Sequence, residues 1–490
     1  MIKRLFKIFE SYKELDPSDH DVDAISKISI KKLNKHLKVF RKESVLEKKL
    51  LIGKQCCKLA TKAGLLYCQE IEQELIEVGQ SIPFKASSQF IKNSHLHLMT
   101  QAFQTGGHTR VCERWIEFSR GNETHSILLT EQQNNPIPQS LEKVVHEKRG
   151  SIYTLNSSPL VKIKEIREIA SNYEKVILHI HADDQVTFIA FATSNFKRPV
   201  LFFNHLDHVF WIGTAISDLV INLRTTAVEQ SIQYRSAQKN IFLPLPIKTP
   251  NINSIKNIAS LRKKLKIRQD SRVVVTLASS EKYTPIKGYD FVKDFIEILK
   301  KYKDLHLIAI GPSPTEKRWI DAQEITGNRM NAIGRIPHEE LSDYFSLADF
   351  AIDSYPMPSF TALLDVASLG IPCVTLVTPF GSMDCVQKSD SLCLNKEMLH
   401  DQIDKILTSR IETNLFQKVK EFHFKEPFLY YLDKVKKETP NCHELTDKGN
   451  YGLKGISEAN RFYIKIQLKK KYMKGFLKVF TTKLKLYFGI

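Results

Sequence analysis

From residue 94 onward, short apolar runs alternate with longer stretches whose apolar positions recur every three or four residues. HLHLM (95–99), SILLT (126–130), SIYTL (151–155), KVILHI (175–180), VLFF (200–203), LVINL (219–223) and IFLPL (241–245) read as strands. VCERWIEF, IKEIREIASNY (163–173) and DQVTFIAFATS (184–194) read as helices between them. Strands separated by helices pair in parallel, because a parallel neighbour needs a long crossover. A polar stretch at 246–270, with Pro244, Pro246 and Pro250 nearby, reads as a linker. The rhythm then restarts. RVVVTLAS (272–279), HLIAIG (306–311), MNAIG (330–334), FAIDS (350–354) and PCVTL (372–376) are strands, and YDFVKDFIEILKKY (289–302), EELSDYFSLA (339–348) and FTALLDVASLG (360–370) are helices. Gly370 and Pro372 supply the last helix with a stop. The pattern predicts two successive α/β domains, 94–247 and 248–400, between helical extensions at 1–93 and 401–490.

Composition changes this picture in one respect. Of 490 residues, 42% are hydrophobic, enough for real cores and too many for a disordered chain. The formal charge is +18, and it is unevenly placed: residues 461–490 carry nine Lys/Arg and no acid, and residues 1–50 carry thirteen Lys/Arg against eight Asp/Glu. The remainder keeps only +4. A nucleic-acid surface would need basic residues interleaved with aromatics across the folded body, which this distribution does not supply. The eight cysteines form no CxxC pair and read as reduced, mostly buried thiols of a cytosolic protein. The opening MIKRLFKIFESYK lacks the apolar core and cleavage site of a signal peptide, and no apolar run reaches the ~18–20 residues of a membrane span.

The segment DSYPMPSFTALLDVASLGIPCVTL (353–376) reads strand, Pro-rich loop, helix, stop, strand. Ser359, Phe360 and Thr361 fall where backbone N–H groups lack intrahelical partners, a place that accepts anions or an ordinary Ser/Thr cap. Asp365 lies one turn further along the same face, placed to accept hydrogen bonds from a ribose diol. This segment resembles the donor-binding region of GT-B nucleotide-sugar glycosyltransferases, above all the O-GlcNAc-transferase-like ones. Retaining members carry two Glu eight residues apart; here the positions hold Met357 and Asp365. The resemblance implies a GT-B fold, two Rossmann-like domains facing a cleft. It also implies a basic donor-diphosphate contact after the first strand of the second domain. Lys287, followed by Gly288, matches it and Lys282 is the reserve; such a cation would neutralise charge on the leaving group. Gly334, Arg335 and Ile336 match the loop whose backbone reads the nucleotide base.

In the first domain, Gly106 and Gly107 let backbone approach a ligand closely, and His108 and Arg110 follow them. The resemblance makes this turn an acceptor-side loop. It assigns His181 a place facing the donor sugar and His205 the common histidine at the next strand end, with Asp207 and His208 beside it. An inverting reaction needs a general base, for which His108, His181, Asp183, Asp207 and His208 are candidates; a retaining one does not. The His and Asp groups at 179–184 and 205–208 follow no tight metal signature, and the resemblance implies no bound metal and no cofactor beyond the nucleotide-sugar substrate.

Residues 461–490 place apolar side chains at 464, 468, 472, 476, 480 and 484, with lysines over much of the remainder. A basic amphipathic helix of this kind binds an anionic membrane surface, each nearby Lys/Arg contributing ~1 kcal/mol, or else docks on the body with its lysines in solvent. The expectation is therefore a cytoplasmic, membrane-peripheral enzyme moving a sugar from a UDP-linked donor to a glycan, lipid-linked or protein acceptor, as in bacterial surface-polysaccharide synthesis. The competing expectation is an inactive accessory or glycan-binding module.

Overall fold

The computed structural model describes residues 16–104, 106–248, 258–337, 340–409, 413–445 and 456–472. Thirteen strands are found among them. Seven form the first sheet: β1 (Ile91–Met99), β2 (Thr124–Leu129), β3 (Ile152–Thr154), β4 (Tyr173–His179), β5 (Val200–Asn204), β6 (Leu219–Asn222) and β7 (Asn240–Phe242). Six form the second: β8 (Arg272–Leu277), β9 (Leu305–Ile310), β10 (Met330–Gly334), β11 (Phe350–Ile352), β12 (Cys373–Leu376) and β13 (Leu392–Cys393). Their orders are β3-β2-β1-β4-β5-β6-β7 and β10-β9-β8-β11-β12-β13, and every pairing is parallel. Both orders reverse beside the first strand, the point at which doubly wound sheets open a crevice.

Most differences from the sequence reading lie at element ends. The helix expected at 184–194 spans Gln185–Phe191, because the Asp184 carboxylate accepts the Thr187 N–H and caps it at 3.0 Å. The run IFLPL forms strand only at Asn240–Phe242, since Pro244 and Pro246 have no N–H to give a ladder. The structure adds the helices Gln139–Glu147, Thr225–Arg235 and Lys317–Ile325; in Thr225–Arg235 the apolar positions follow no helical period, whereas Gln139–Glu147 is amphipathic but only nine residues long.

The amino-terminal extension is three helices, Asp19–Lys42, Leu46–Ala63 and Gln69–Ser81, and they share one core with the first sheet. Leu37, Phe40, Cys56, Ile71 and Leu75 pack with Leu96, Leu98, Val176 and Phe202. Buried polar groups lock the joint. The Glu72 carboxylate accepts the N–H groups of Gly213, Thr214 and Ala215, and the Arg167 guanidinium donates to the carbonyls of Gly79, Ile82, Ile189 and Ala190. Each would cost several kcal/mol to bury unpaired.

The opposite face of the first sheet meets the second domain. Val111, Trp115, Ile177 and Phe203 lie in one apolar cluster with Ile308, Leu363, Leu364 and Val386. After the second domain the chain returns. Phe428, in the helix Lys425–Glu438, rests on Trp115 and Phe118, ring centroids 6.1 and 5.9 Å apart.

The described part of the basic tail, 456–472, is helical from 458 and docks on the body. Phe462 and Ile466 pack with Ile286 and Phe380, and Ile464 and Leu468 with Val22. Lys465 and Lys469 ion-pair with Asp19 and Asp16, both at 2.9 Å. The apolar positions at 464 and 468 are thus spent inside the protein, on the alternative to membrane contact. Those at 476, 480 and 484 lie outside the described residues. Among the described residues no helix is long and apolar enough to cross a membrane. All eight cysteines are free thiols, and only Cys442 is not fully buried.

Candidate active site

The facing strand ends bring the two predicted loops together. The Gly106–Gly107 turn opens the helix Gly107–Phe118, with Gly106 at φ +120°, a conformation that favours glycine. A Cβ on Gly107 would stand 3.3 Å from the Thr361 hydroxyl. Thr361 begins the helix Thr361–Ala367, and Phe360 ahead of it is held at φ +54° and ψ −88°, a costly geometry for a side-chain-bearing residue. The buried Asp353 carboxylate sets this loop, accepting the N–H groups of Ser354 and Ser359 at 2.8 Å each. Burial raises its pKa despite those bonds.

Two arginines that the sequence reading passed over join the domains here. Arg224 donates from Nε to Asp207 at 2.6 Å and from a terminal nitrogen to the Phe380 carbonyl, and lies over the Phe360 ring at 5.1 Å. Arg114 pairs with Asp365 at 2.8 Å, both side chains nearly buried. Burial pushes the Asp365 carboxyl up and Arg114 pulls it back down. The carboxylate expected to meet a ribose is therefore engaged across the domain junction in this conformation. Neither arginine carried a motif; each is recognisable only by what it faces.

Of the two lysines after β8, Lys282 reaches the site. Its ammonium donates to the Pro358 carbonyl at 2.8 Å, and burial lowers its pKa, opposed by Asp353 and Glu281. Lys287 is exposed on the Ile286–Tyr289 turn, so the reserve residue stands where the first choice was expected. Met357 packs beside the apolar group of Ile286, Phe380 and Phe462. Gly334, at φ +78°, ends β10 and is tied to the loop after β9 by Gly311 N–H donating to its carbonyl at 2.7 Å. Arg335 is exposed and Ile336 half-buried beside it.

The first domain contributes a group of histidines. His108 is half-buried at the helix start, its ring 4.4 Å from that of His205, and both of its ring nitrogens are buried beside the His179 backbone. Burial first, then His181, lowers its pKa to about 4. His181 is half-buried and stacks on Phe103 at 6.0 Å. Asp183 is half-buried on the same strand-end turn. Arg110 is drawn to Glu113 at 2.8 Å. Asp207 is not a free base: burial opposes its charge, but Arg224 and His208 outweigh it and hold the carboxyl well below the usual range. His208 lies against Phe380 and Tyr463, at 5.3 and 5.6 Å, under the docked tail.

Among the described residues, two groups have donor atoms close enough together for a metal ion, His97–Cys112–His179 and His95–Glu123–His125. In the first, His97 Nδ1 and His179 Nε2 already hydrogen-bond one another at 3.0 Å, and burial raises the Cys112 thiol's pKa. In the second, Glu123 already holds the Lys436 ammonium.

No protein-family model matches the sequence, and neither does any curated protein. Solved structures do match its shape. HepE of Anabaena, crystallised with UDP-glucose, superposes with TM-score 0.50 at 12% identity, over 70% of this chain and 99% of that one. A glycosyltransferase from Rickettsia africae superposes with TM-score 0.50 at 13% identity, over 79% of this chain and 100% of that one. The fold is GT-B, the two-domain frame of nucleotide-sugar glycosyltransferases.

Proposed function

We propose that the protein is a glycosyltransferase that binds a UDP-linked sugar on its second domain and transfers the sugar to a hydroxyl of an acceptor held by the first. One observation carries this reading. The carboxyl ends of two doubly wound sheets face each other, with the Gly107 turn against Thr361 and the cations Lys282 and Arg224 at the Pro358–Phe360 loop. Fixed cations in a site that excludes water stabilise a departing diphosphate and suppress donor hydrolysis. In this reading they perform the neutralisation that a metal ion would otherwise supply. Glycan, lipid-linked and protein acceptors all fit, and surface-polysaccharide synthesis at the cytoplasmic face of a membrane is the setting we favour. Loss of anionic-liposome sedimentation on deleting 473–490 would support that placement, and unchanged sedimentation would exclude those residues as the anchor.

The direct test is thermal stabilisation by nucleoside diphosphates, followed by a screen for nucleotide-sugar hydrolysis. UDP is expected to raise Tm in the wild type and much less in Lys282→Ala, while Lys287→Ala changes little. No shift with any nucleoside diphosphate would sink the donor site. The Arg114–Asp365 pair and the apolar setting of Met357 favour a second reading, a GT-B module that binds without catalysis. Donor binding with neither hydrolysis nor transfer would support it.

A further inference from the structure

Three histidines on β2, β1 and β4 and a fourth, His205, just past the end of β5 form a continuous hydrogen-bonded chain through the first sheet. His125 Nδ1 meets His97 Nε2 at 2.9 Å, His97 Nδ1 meets His179 Nε2 at 3.0 Å, and His179 Nδ1 meets His205 Nε2 at 3.0 Å. His97, His125 and His179 are fully buried. The chain runs in one sense: His125, His97 and His179 each use Nδ1 toward His205, and His97, His179 and His205 each use Nε2 toward His125.

Its far end is Glu123. His125 Nε2 lies 3.6 Å from Glu123 Oε2, and these two buried atoms have no other partner. The second carboxylate oxygen is occupied by Lys436, whose positive charge keeps the carboxyl ionised. Burial works against that charge, but His125 and Lys436 prevail and hold Glu123 well below the usual carboxyl range.

A neutral imidazole carries one proton, so one nitrogen donates and the other accepts. A bare lone pair on His125 Nε2 facing a carboxylate would be repelled, so the proton sits on that nitrogen. His125 Nδ1 is then an acceptor and must receive Nε2–H from His97. The same logic passes to His179 and ends at His205, which donates Nε2–H to His179 and keeps Nδ1 bare. Doubly protonated rings are disfavoured, since burial depresses all four and the charged groups near the Glu123 end include Lys436, Lys175 and Lys148, with His95 stacked on His125 at 4.7 Å. At the other end stand His108 and His181, with Cys112 alongside the middle of the chain.

We infer that Glu123, through His125, His97 and His179, is a positioning residue that fixes the tautomer of His205, so that Nδ1 at the cleft is an obligate hydrogen-bond acceptor for a ligand hydroxyl. Such a nitrogen admits a polyhydroxylated ligand at that point and rejects a carbonyl or phosphate oxygen, which also only accepts. The assignment of the ligand as a sugar rests on the proposed function; the tautomer does not.

The test is long-range proton–nitrogen NMR of ligand-free protein labelled with nitrogen-15 histidine. The wild type is expected to show Nε2–H and bare Nδ1 in all four rings. In Glu123→Gln, Lys436 retains the amide oxygen, which turns the amide N–H₂ toward His125 Nε2. That donor reverses the chain, exchanging protonated and bare nitrogens in each ring and placing a proton on His205 Nδ1. A purely structural role for Glu123 would leave the pattern unchanged in the variant, and that result would overturn the proposal. So would Nδ1–H on His205 in the wild type, which needs no variant to fold. Neither readout depends on transfer activity, so failure of the glycosyltransferase reading would appear separately, as absent nucleotide stabilisation with the tautomers intact.

Discussion

The two sheets share a topology and differ in what fills their centres. In the second, the register partners across the three central strands are Ile308, Val275 and Ala351, all apolar. In the first, the register partners of His97 are Ile127 and Ile177, and a diagonal line of histidines, His125, His97 and His179, crosses the same three strands two residues further along at each step, with Trp115 edge-on to His97 at 5.5 Å. An aliphatic layer is held by packing and tolerates small volume changes. A histidine line is held by directed bonds, and removing one ring strands two others. The lesson is that a doubly wound sheet can carry a polar line through its core when every member is partnered, and that the line gives one end of the sheet a definite donor–acceptor polarity.

The largest expected effect is at the junction of the two halves. Arg114→Ala leaves Asp365 charged and buried without its partner, which should destabilise by about 3–5 kcal/mol in urea unfolding. Arg114→Met with Asp365→Leu should recover most of that loss; if it does not, the pair serves more than mutual compensation. Next comes His97→Leu, which makes the first sheet like the second. It orphans His125 Nδ1 and His179 Nε2 at roughly 1–3 kcal/mol each, so a loss of about 3 kcal/mol is expected. A loss below ~1 kcal/mol would show that the chain contributes little.

Acid should separate the sheets. His95, His97, His125, His179 and His205 all have folded pKa values depressed by burial, and His108 is lowered to about 4. The second sheet has His306 alone among its strand histidines, lowered to about 4 by burial and then Arg329. A depressed histidine binds its proton more readily when unfolded. Its stabilising contribution is therefore complete above the unfolded value of about 6.5 and falls as pH drops toward the folded value, by at most about 1.4 kcal/mol per pH unit per ring. Amide protection, taken relative to the intrinsic exchange rate at each pH, should fall between pH 6.5 and 5 more in β1 and β4 than in β8 and β9. An equal fall would erase the distinction. The smallest change is Ile308→Val, at about 1 kcal/mol and without pH dependence, read from urea midpoints at pH 7 and 5.5.

How far the sequence could be read followed the same division. The β8–β12 strands are short apolar runs between amphipathic helices, so periodicity located them. HLHLM was located as a strand too, since alternation does not depend on whether the inward residues are leucine or histidine. What alternation could not disclose was that His97 and His125 face each other, because their contact depends on register between strands 28 residues apart. His179 is one more residue of the strand KVILHI in the sequence, and its role in the chain depends on His97 and His205. The Lys-Gly match favours Lys287 over Lys282, five residues apart on one loop; only the path of that loop brings Lys282 to Pro358.

The excess charge resolves similarly. Its location at the two ends was evident from counting, but Lys465 and Lys469 meet Asp19 and Asp16 across more than 400 residues. By itself the sequence determined the strand–helix alternation, the division into two α/β units and the loops that carry polar groups, because these depend on local periodicity and turn chemistry; the GT-B frame was implied by the resemblance of residues 353–376. Tertiary structure decided which charges pair, which lysine enters the cleft and which way the histidine chain points. Those depend on distances between segments remote in sequence, and on burial, which leaves a polar atom only the partners that the fold brings to it.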